Sequence, residues 1–189
     1  MAERIELRDG GWLVYEPCLL STAEADRLFS RLQSGVKWRQ ERAYGRPMPR
    51  LNAWFADPGL AYAYSGIRYH GQGWPEWLLP VKQQVEAVAG SMFNSLLLNR
   101  YRDGTDSIGF HADAEPELGA DPIIATLSLG AERNFVLKHC RNNERQSYRL
   151  LHGSLMVMGG SSQHNWLHSV PKTKTPVGER ISLTYRKIL

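Results

Sequence analysis

Residues 180–186 read Arg180-Ile181-Ser182-Leu183-Thr184-Tyr185-Arg186, a strict alternation of charged or hydroxyl side chains with large hydrophobic ones. This period of two predicts a β-strand, because successive side chains of a strand point to opposite faces of its sheet. One face would pack in a core, and the other would present two arginines, a serine and a threonine. Such a polar face indicates either a strand that lines an anionic pocket or an exposed edge strand with a solvated face.

Other short strands are predicted around it. From residue 95 onward, apolar runs alternate with turn residues such as Gly104 and Gly130. Two helices precede them: Ser21 and Glu24 have the spacing of a capping box, and Pro75 opens a second apolar helical pattern. Helices followed by many short strands favour an α+β, mainly β fold, namely a double-stranded β-helix (jelly roll) with N-terminal helices on its outer face. The predicted strands are 95–101, 123–129, 134–139, 148–151, 155–158 and 181–185.

Length and composition favour a single domain over residues 1–189, with helices and a lid in 1–94 and the β-helix core in 95–189. The only cysteines are Cys18 and Cys140, without a C-x-x-C pair, which argues against a disulfide scaffold or a structural zinc site. The N-terminus lacks the apolar run of a signal peptide, and no segment approaches the length of a membrane span. We therefore expect a monomer in the cytoplasm, associated with the nucleoid if the protein is bacterial, with no membrane partner.

Three residues have the types and the spacing of a metal site. His111 and Asp113 lie two apart, so on one strand they would project to the same side, and His168 follows 55 residues after the aspartate. Two imidazoles and one carboxylate form the facial triad that holds non-haem Fe(II) and leaves three coordination positions open. An isolated H-x-D also occurs by chance, so the assignment depends on the surrounding motifs.

Arginines near this motif predict a second ligand. An iron centre with open positions needs a reductant, and 2-oxoglutarate can occupy two positions through its 1-carboxylate and keto oxygen. Its far carboxylate requires a buried cation, and arginine suits that role because its planar fork binds a carboxylate with two hydrogen bonds and stays charged. The polar face of 180–186, with Arg180 and Arg186, fits such a pocket.

The order N-x-Y-x-x-G, H-x-D, H and R-x-S-x-T-x-R resembles the AlkB family of Fe(II)- and 2-oxoglutarate-dependent dioxygenases, especially the branch that repairs alkylated bases in duplex DNA. The resemblance covers residues 38–189. It implies oxidative dealkylation of bases such as 1-methyladenine, 3-methylcytosine or etheno adducts, with O2 and 2-oxoglutarate consumed and succinate, CO2 and an aldehyde released. It implies metal-binding and catalytic roles for His111, Asp113 and His168, a catalytic role for Arg186, and co-substrate contacts by Asn99, Tyr101, Arg180, Ser182, Thr184 and Arg186.

The same resemblance places substrate recognition in residues 37–66, before the barrel. Tyr44 would sit at a hairpin tip and fill the gap left by an extruded base, with Gly45 allowing the turn. Tyr62 and Tyr64 would contact the flipped base by stacking and hydrogen bonding, and Glu115 would contact its exocyclic nitrogen and favour a cationic lesion. The predicted substrate-binding residues are Tyr44, Gly45, Arg46, Arg50, Tyr62, Tyr64 and Glu115.

The net charge of +4 is modest, but basic residues concentrate in two segments. Two basic segments that flank one pocket suit a phosphate backbone, although each alone is typical of an ordinary solvated surface. Two other functions remain open: a dioxygenase of the same type acting on RNA, protein or a small molecule, and a nucleic-acid-binding protein without turnover. The basic residues are Lys37, Arg39, Arg42, Arg46 and Arg50 in the first segment and Arg133, Lys138, Arg141, Arg145 and Arg149 in the second.

Overall fold

The computed structural model describes residues 3–43, 45–64 and 67–189, without the side chains of residues 43 and 62–69. Short 3-10 turns occur at Arg8–Gly10, Glu76–Leu78 and Pro116–Leu118. The helices are α1 (Thr22–Gly35), α2 (Leu79–Ala89) and α3 (Ser162–Asn165). The strands are β1 (Glu3–Glu6), β2 (Gly11–Glu16), β3 (Arg42–Ala43), β4 (Arg46–Pro47), β5 (Leu51–Ala56), β6 (Ala61–Tyr64), β7 (Ile67–His70), β8 (Ser95–Tyr101), β9 (Ile108–His111), β10 (Ile124–Gly130), β11 (Arg133–His139), β12 (Arg145–Leu150), β13 (Ser154–Gly160), β14 (Trp166–Val170) and β15 (Arg180–Arg186).

Two antiparallel sheets form the body of the protein. The large sheet has the order β1-β2-β13-β10-β15-β8-β5, and the small one has the order β12-β11-β14-β9. Buried side chains from both sheets share one apolar cluster, to which the large sheet contributes Leu13 and Met156 and the small sheet contributes Phe135 and Trp166. The sheets therefore pack face to face, which confirms the predicted jelly-roll core.

Helices α1 and α2 cover the outer face of the large sheet. The side chain of Ser21 and that of Glu24 form the reciprocal hydrogen bonds of a capping box at the start of α1, as the sequence predicts. Ala25 and Leu32 of α1 and Val81 and Val85 of α2 then join a second buried cluster with the outward-facing residues of the large sheet. The apolar stripe of each helix thus fixes it against the sheet.

Strand β15 lies in the middle of the large sheet, between β10 and β8, and all of its residues are buried. Ile181, Leu183 and Tyr185 belong to the cluster under the helices. Since side chains alternate, its four polar residues face the other way, into the space between the sheets. The alternative of an exposed edge strand is therefore wrong for this segment.

The predicted division at residue 94 does not separate helices from sheet. Strands β1 and β2 extend the large sheet beside β13, and β5 pairs with β8 at its other end. These three strands, and also β9 and β14 of the small sheet, are absent from the strands predicted above. β1 is mostly charged and β9 is short, so their strand conformation depends on pairing with distant segments rather than on local pattern.

The lid contains the expected hairpin. β3 pairs with β4 through Arg42 opposite Pro47 and Ala43 opposite Arg46, which leaves a two-residue turn. Gly45 in that turn has a φ of 77°, a conformation that glycine adopts readily.

Two expectations from composition can be compared with the described chain. Cys18 and Cys140 are both free and exposed, in agreement with the absence of a disulfide scaffold. Among the described helices, none combines the length and the hydropathy that crossing a bilayer requires.

Candidate active site

One group of potential metal ligands stands out among the described residues: His111, Asp113 and His168. Their candidate ligand atoms all lie within 4.8 Å of one another. His111 and His168 occupy directly opposite positions on the neighbouring strands β9 and β14, and their ring centroids are 4.2 Å apart. The structure thus brings together the three residues that the sequence analysis selected.

A β-bulge turns His111 toward this site. His168 pairs with His111 and Val170 with Ile108, so two residues of β9, Gly109 and Phe110, lie opposite one residue of β14. As a result His111 and Ile108 both line the same pocket, although regular alternation would point them to opposite faces.

Asp113 reaches the site from outside the strand, because β9 ends at His111. The expectation that His111 and Asp113 share a strand face is therefore wrong. The backbone N–H of Asp113 donates instead to Oε1 of the buried Gln163, at 2.9 Å. Gln163 belongs to no ligand-like motif, so no sequence pattern indicates this role.

A buried ion pair holds the Asp113 carboxylate. Arg186 donates from Nη2 to Oδ1 at 2.8 Å and from Nε to Oδ2 at 3.1 Å. Burial by itself raises the pKa of Asp113, but the positive charge of Arg186 and its hydrogen bonds to the carboxylate more than offset it and lower the pKa to about 2. Asp113 is therefore a carboxylate at neutral pH, which is the form that binds a metal ion.

His168 is neutral at physiological pH, and a hydrogen bond orients the ring of His111. Burial, together with His111 and Arg186, lowers the pKa of His168 to about 3 despite the opposing effect of Asp113. Nδ1 of His111 lies 2.9 Å from the carbonyl oxygen of Gly109, so an Nδ1–H donor there leaves Nε2 as a lone-pair ligand. Two imidazoles and one carboxylate fit Fe(II) in a facial triad.

The same pocket contains a buried, incompletely paired arginine. Arg180 is 1% exposed, and its Nη2 donates to Oγ of Ser128 at 2.8 Å. Its Nε and Nη1 are buried without a hydrogen-bond partner among the described residues, and its Cζ lies 5.2 Å from the ring centroid of Tyr101. Burial lowers the pKa of Arg180, since the charge has lost most of its hydration. An anionic ligand would satisfy this guanidinium, which fits the far carboxylate of 2-oxoglutarate.

Strands β8 and β15 supply further polar residues of this pocket, and β10 adds Thr126. Tyr101 lies opposite Arg180, and Asn99 lies opposite Ser182. Apolar side chains, including Leu97, close the rest of the wall. All six predicted co-substrate residues line the pocket together with the metal group: Asn99, Tyr101, Arg180, Ser182, Thr184 and Arg186.

Two arginines assigned to the basic surface segments lie inside the protein instead. Arg50 is 6% exposed and hydrogen-bonds Asn99 and the carbonyl of Ser107. Arg133 is 4% exposed and donates to three backbone carbonyls. Arg50 is therefore an interior polar residue rather than part of an exposed basic surface, and its contact with substrate stays a prediction. Both arginines are held by carbonyl acceptors that sequence patterning does not reveal.

The remaining residues predicted to bind substrate are only partly described. Gly45 and Arg46 are exposed on the β3–β4 hairpin, whereas Tyr44 lies outside the described residues. Tyr62 and Tyr64 belong to β6, and their side chains also lie outside the described part of the chain. Glu115 follows the metal group and has one buried carboxylate oxygen, Oε2, without a hydrogen-bond partner among the described residues.

Solved structures share this architecture. OsALKBH1 matches with a TM-score of 0.69 and 16% identity over 98% of this chain and 100% of that chain. An oxidoreductase of the 2OG-Fe(II) oxygenase family from Burkholderia pseudomallei matches with a TM-score of 0.63 and 18% identity, over 92% of this chain and 84% of that one. At these identities the likeness concerns the fold.

Sequence comparison identifies the family. The model of the 2OG-Fe(II) oxygenase superfamily matches residues 12–186. DNA oxidative demethylase ALKBH2 from Homo sapiens is 36% identical over 90% of this chain and 71% of its own length. Alpha-ketoglutarate-dependent dioxygenase alkB homolog 3 from Rattus norvegicus is 38% identical over 91% of this chain and 62% of its own length. The chain therefore belongs to the 2OG-Fe(II) oxygenase superfamily and, within it, to the AlkB family of oxidoreductases.

Proposed function

We propose that this protein is a DNA oxidative demethylase that removes alkyl groups from ring nitrogens of bases, such as those of 1-methyladenine and 3-methylcytosine. The observation that carries the proposal is one pocket that contains both a His–Asp–His group and the incompletely paired guanidinium of Arg180. Relatives named DNA oxidative demethylase ALKBH2, at 36–37% identity, support DNA as the substrate. The whole chain would act as a single catalytic domain.

His111, Asp113 and His168 would hold Fe(II) in this enzyme. When bound, Fe(II) with 2-oxoglutarate and O2 supplies the oxidising power that hydroxylates the alkyl carbon, after which the alkyl group leaves as an aldehyde. The protein keeps Asp113 ionised through its paired hydrogen bonds with Arg186 and keeps His168 neutral through burial. These residues thereby provide the metal ligands in the protonation states that binding requires.

The other end of the pocket would hold the co-substrate. Nε and Nη1 of Arg180 would bind the far carboxylate of 2-oxoglutarate, since both are buried donors without a partner among the described residues. Asn99, Tyr101, Ser182 and Thr184 would complete the polar wall along the rest of the molecule. Arg186 contacts the ligand Asp113, so its charge acts at the metal end of the co-substrate.

Nucleic acid would approach from the lid. The β3–β4 hairpin presents exposed Arg42 and Arg46, which would contact phosphates. Tyr44, which precedes Gly45 in the sequence, would occupy the space left by the extruded base. Tyr62 and Tyr64 would contact the flipped base. The carboxylate of Glu115, whose buried Oε2 has no hydrogen-bond partner within the described part of the chain, would favour a base made cationic by alkylation.

Succinate formation tests this function. Protein loaded anaerobically with Fe(II) is mixed with 2-oxoglutarate, O2 and an oligonucleotide that carries 1-methyladenine or 3-methylcytosine, in single-stranded and duplex form. We expect lesion-dependent succinate and formaldehyde with restoration of the base, and none with the His111→Ala variant. Succinate formation at the same rate with and without the lesion would exclude alkylated DNA as the substrate but would still support a dioxygenase. Tight binding of the lesion without any succinate would instead support a non-catalytic binding protein.

A further inference from the structure

A buried polar cluster lies behind one wall of the co-substrate pocket. Asn99 lines the pocket, and its Oδ1 accepts a hydrogen bond from Nε of Arg50 at 2.9 Å and another from Nδ2 of Asn52 at 2.6 Å. All three side chains are buried. Asn52 and Asn99 are directly opposite each other on the paired strands β5 and β8, which explains how the residues meet.

This cluster fixes which way the Asn99 amide points. The oxygen and nitrogen of an asparagine amide have similar shapes, so neighbours must decide their positions. A guanidinium has donors and no acceptor, so the atom that faces Arg50 has to be the oxygen. The NH2 group of Asn99 is then directed away from Arg50, and no described residue accepts a hydrogen bond from it. A pocket ligand at this wall therefore meets a donor.

The charge of Arg50 has no obvious protein counterpart. No carboxylate among the described residues pairs with Arg50, and its remaining contact is Nη1 to the carbonyl oxygen of Ser107 at 3.3 Å. A buried cation without a partner is costly unless an anion shares its surroundings. Arg180 lines the pocket, and Arg50 lies behind Asn99 in its wall, so the charges of two arginines favour a doubly charged ligand over a singly charged one.

We propose that Arg50 is a positioning residue for the dicarboxylate co-substrate: it orients the Asn99 amide so that NH2 donates to a carboxylate, and its charge stabilises the anion. This inference rests on the proposed use of 2-oxoglutarate. It assigns Arg50 to the wall of the co-substrate pocket, behind Asn99, rather than to the nucleic-acid surface. Asn52 supports the same orientation through the second hydrogen bond to Oδ1.

A purely structural role makes a different prediction. The backbone N–H of Ser107 donates to the carbonyl oxygen of Pro49 at 2.9 Å, and Arg50 donates to the carbonyl oxygen of Ser107. The alternative role of Arg50 is therefore to stabilise the loop after β8. Loss of such a stabilising hydrogen bond would lower the free energy of unfolding and weaken metal binding and co-substrate binding alike. Loss of a positioning residue would weaken co-substrate binding selectively.

The experiment measures binding rather than turnover. Titration calorimetry gives the Kd of 2-oxoglutarate on the Mn(II)-loaded protein and, separately, the Kd of Mn(II) alone. For Arg50→Met we expect a rise of about tenfold in the 2-oxoglutarate Kd, the size of one charge-assisted hydrogen bond, with Mn(II) binding unchanged. Arg50→Lys, which keeps a cationic donor, should recover most of the affinity. Arg27→Met, an exposed substitution on α1, is the matched control.

Asn99→Asp separates orientation from folding. An aspartate at position 99 would still accept from Arg50 and gain an ion pair, so the melting temperature should hold or rise. The 2-oxoglutarate Kd should nevertheless rise by roughly tenfold or more, because an oxygen replaces the NH2 donor.

Wild-type 2-oxoglutarate affinity in a folded Arg50→Met variant, or in Asn99→Asp, overturns the inference. If Arg50→Met does not fold, the 2-oxoglutarate Kd of Asn99→Asp tests the inference. Wild-type protein that binds no 2-oxoglutarate would instead overturn the proposed function.

Discussion

Replacing Arg180 by methionine should have opposite effects on co-substrate binding and on stability. Methionine replaces the aliphatic part of the arginine side chain but has neither charge nor N–H groups. Arg180 is 1% exposed, makes one hydrogen bond to Ser128 at 2.8 Å, and leaves Nε and Nη1 without a partner among the described residues. In the ligand-free protein this guanidinium is a buried charge that is poorly compensated, whereas in the complex it would bind a carboxylate.

The two magnitudes follow from those atoms. Two charge-assisted hydrogen bonds contribute about 1.5–3 kcal/mol each, so the variant should bind 2-oxoglutarate at least roughly a hundredfold more weakly. In the ligand-free state, removal of two unsatisfied donors relieves about 1–3 kcal/mol each, and loss of the Ser128 hydrogen bond costs about 1 kcal/mol. The free energy of unfolding should therefore increase by about 1 kcal/mol or more.

Two assays on the same protein check these effects. Urea denaturation without metal or 2-oxoglutarate gives the free energy of unfolding, and calorimetric titration of the Mn(II)-loaded form gives the co-substrate Kd. Arg27→Met serves as the exposed control for both. A variant that is less stable than wild type, or that binds 2-oxoglutarate within about threefold of wild type, would refute the assignment of Arg180 to a carboxylate.

Three further predictions concern other parts of the site. Burial lowers the pKa of His168 to about 3, from about 6.5 in the unfolded chain, so the unfolded state binds a proton before the folded state does. As the pH falls from 6.5 to 3, the free energy of unfolding of the metal-free protein should therefore decrease by up to about 1.4 kcal/mol per pH unit. Urea titrations should show a smaller pH dependence for His168→Gln, and an equal dependence in both proteins would contradict this expectation. Gly104→Ala would place a Cβ 2.6 Å from the carbonyl oxygen of Thr173, so the free energy of unfolding in urea denaturation should fall by about 1–3 kcal/mol. Gly35→Ala, whose Cβ would have no neighbour within 4 Å, should leave the free energy of unfolding nearly unchanged. Glu115→Gln should lower kcat/KM on cationic 1-methyladenine by about tenfold but affect an uncharged etheno adduct less, and equal losses on both lesions would rule out charge recognition.

Much of the core was readable from local pattern. The alternation in residues 180–186 predicted both a strand and its polar face, and the capping box at Ser21 predicted the start of α1. Such signals are local, because the period of side chains along a strand or helix is fixed by backbone geometry. The edge strands β1 and β5 gave weaker signals, since each depends on a partner that is distant in sequence.

Residue types alone indicated the donors of the site: two histidines, a carboxylate and arginines. The tertiary structure sets how these donors act. It placed Asp113 beyond its strand and paired it with Arg186, turned His111 inward through a bulge, and took Arg50 from the surface to the back of Asn99. Side-chain type is a property of one residue, whereas charge compensation, burial and amide orientation depend on neighbours that only chain folding brings together.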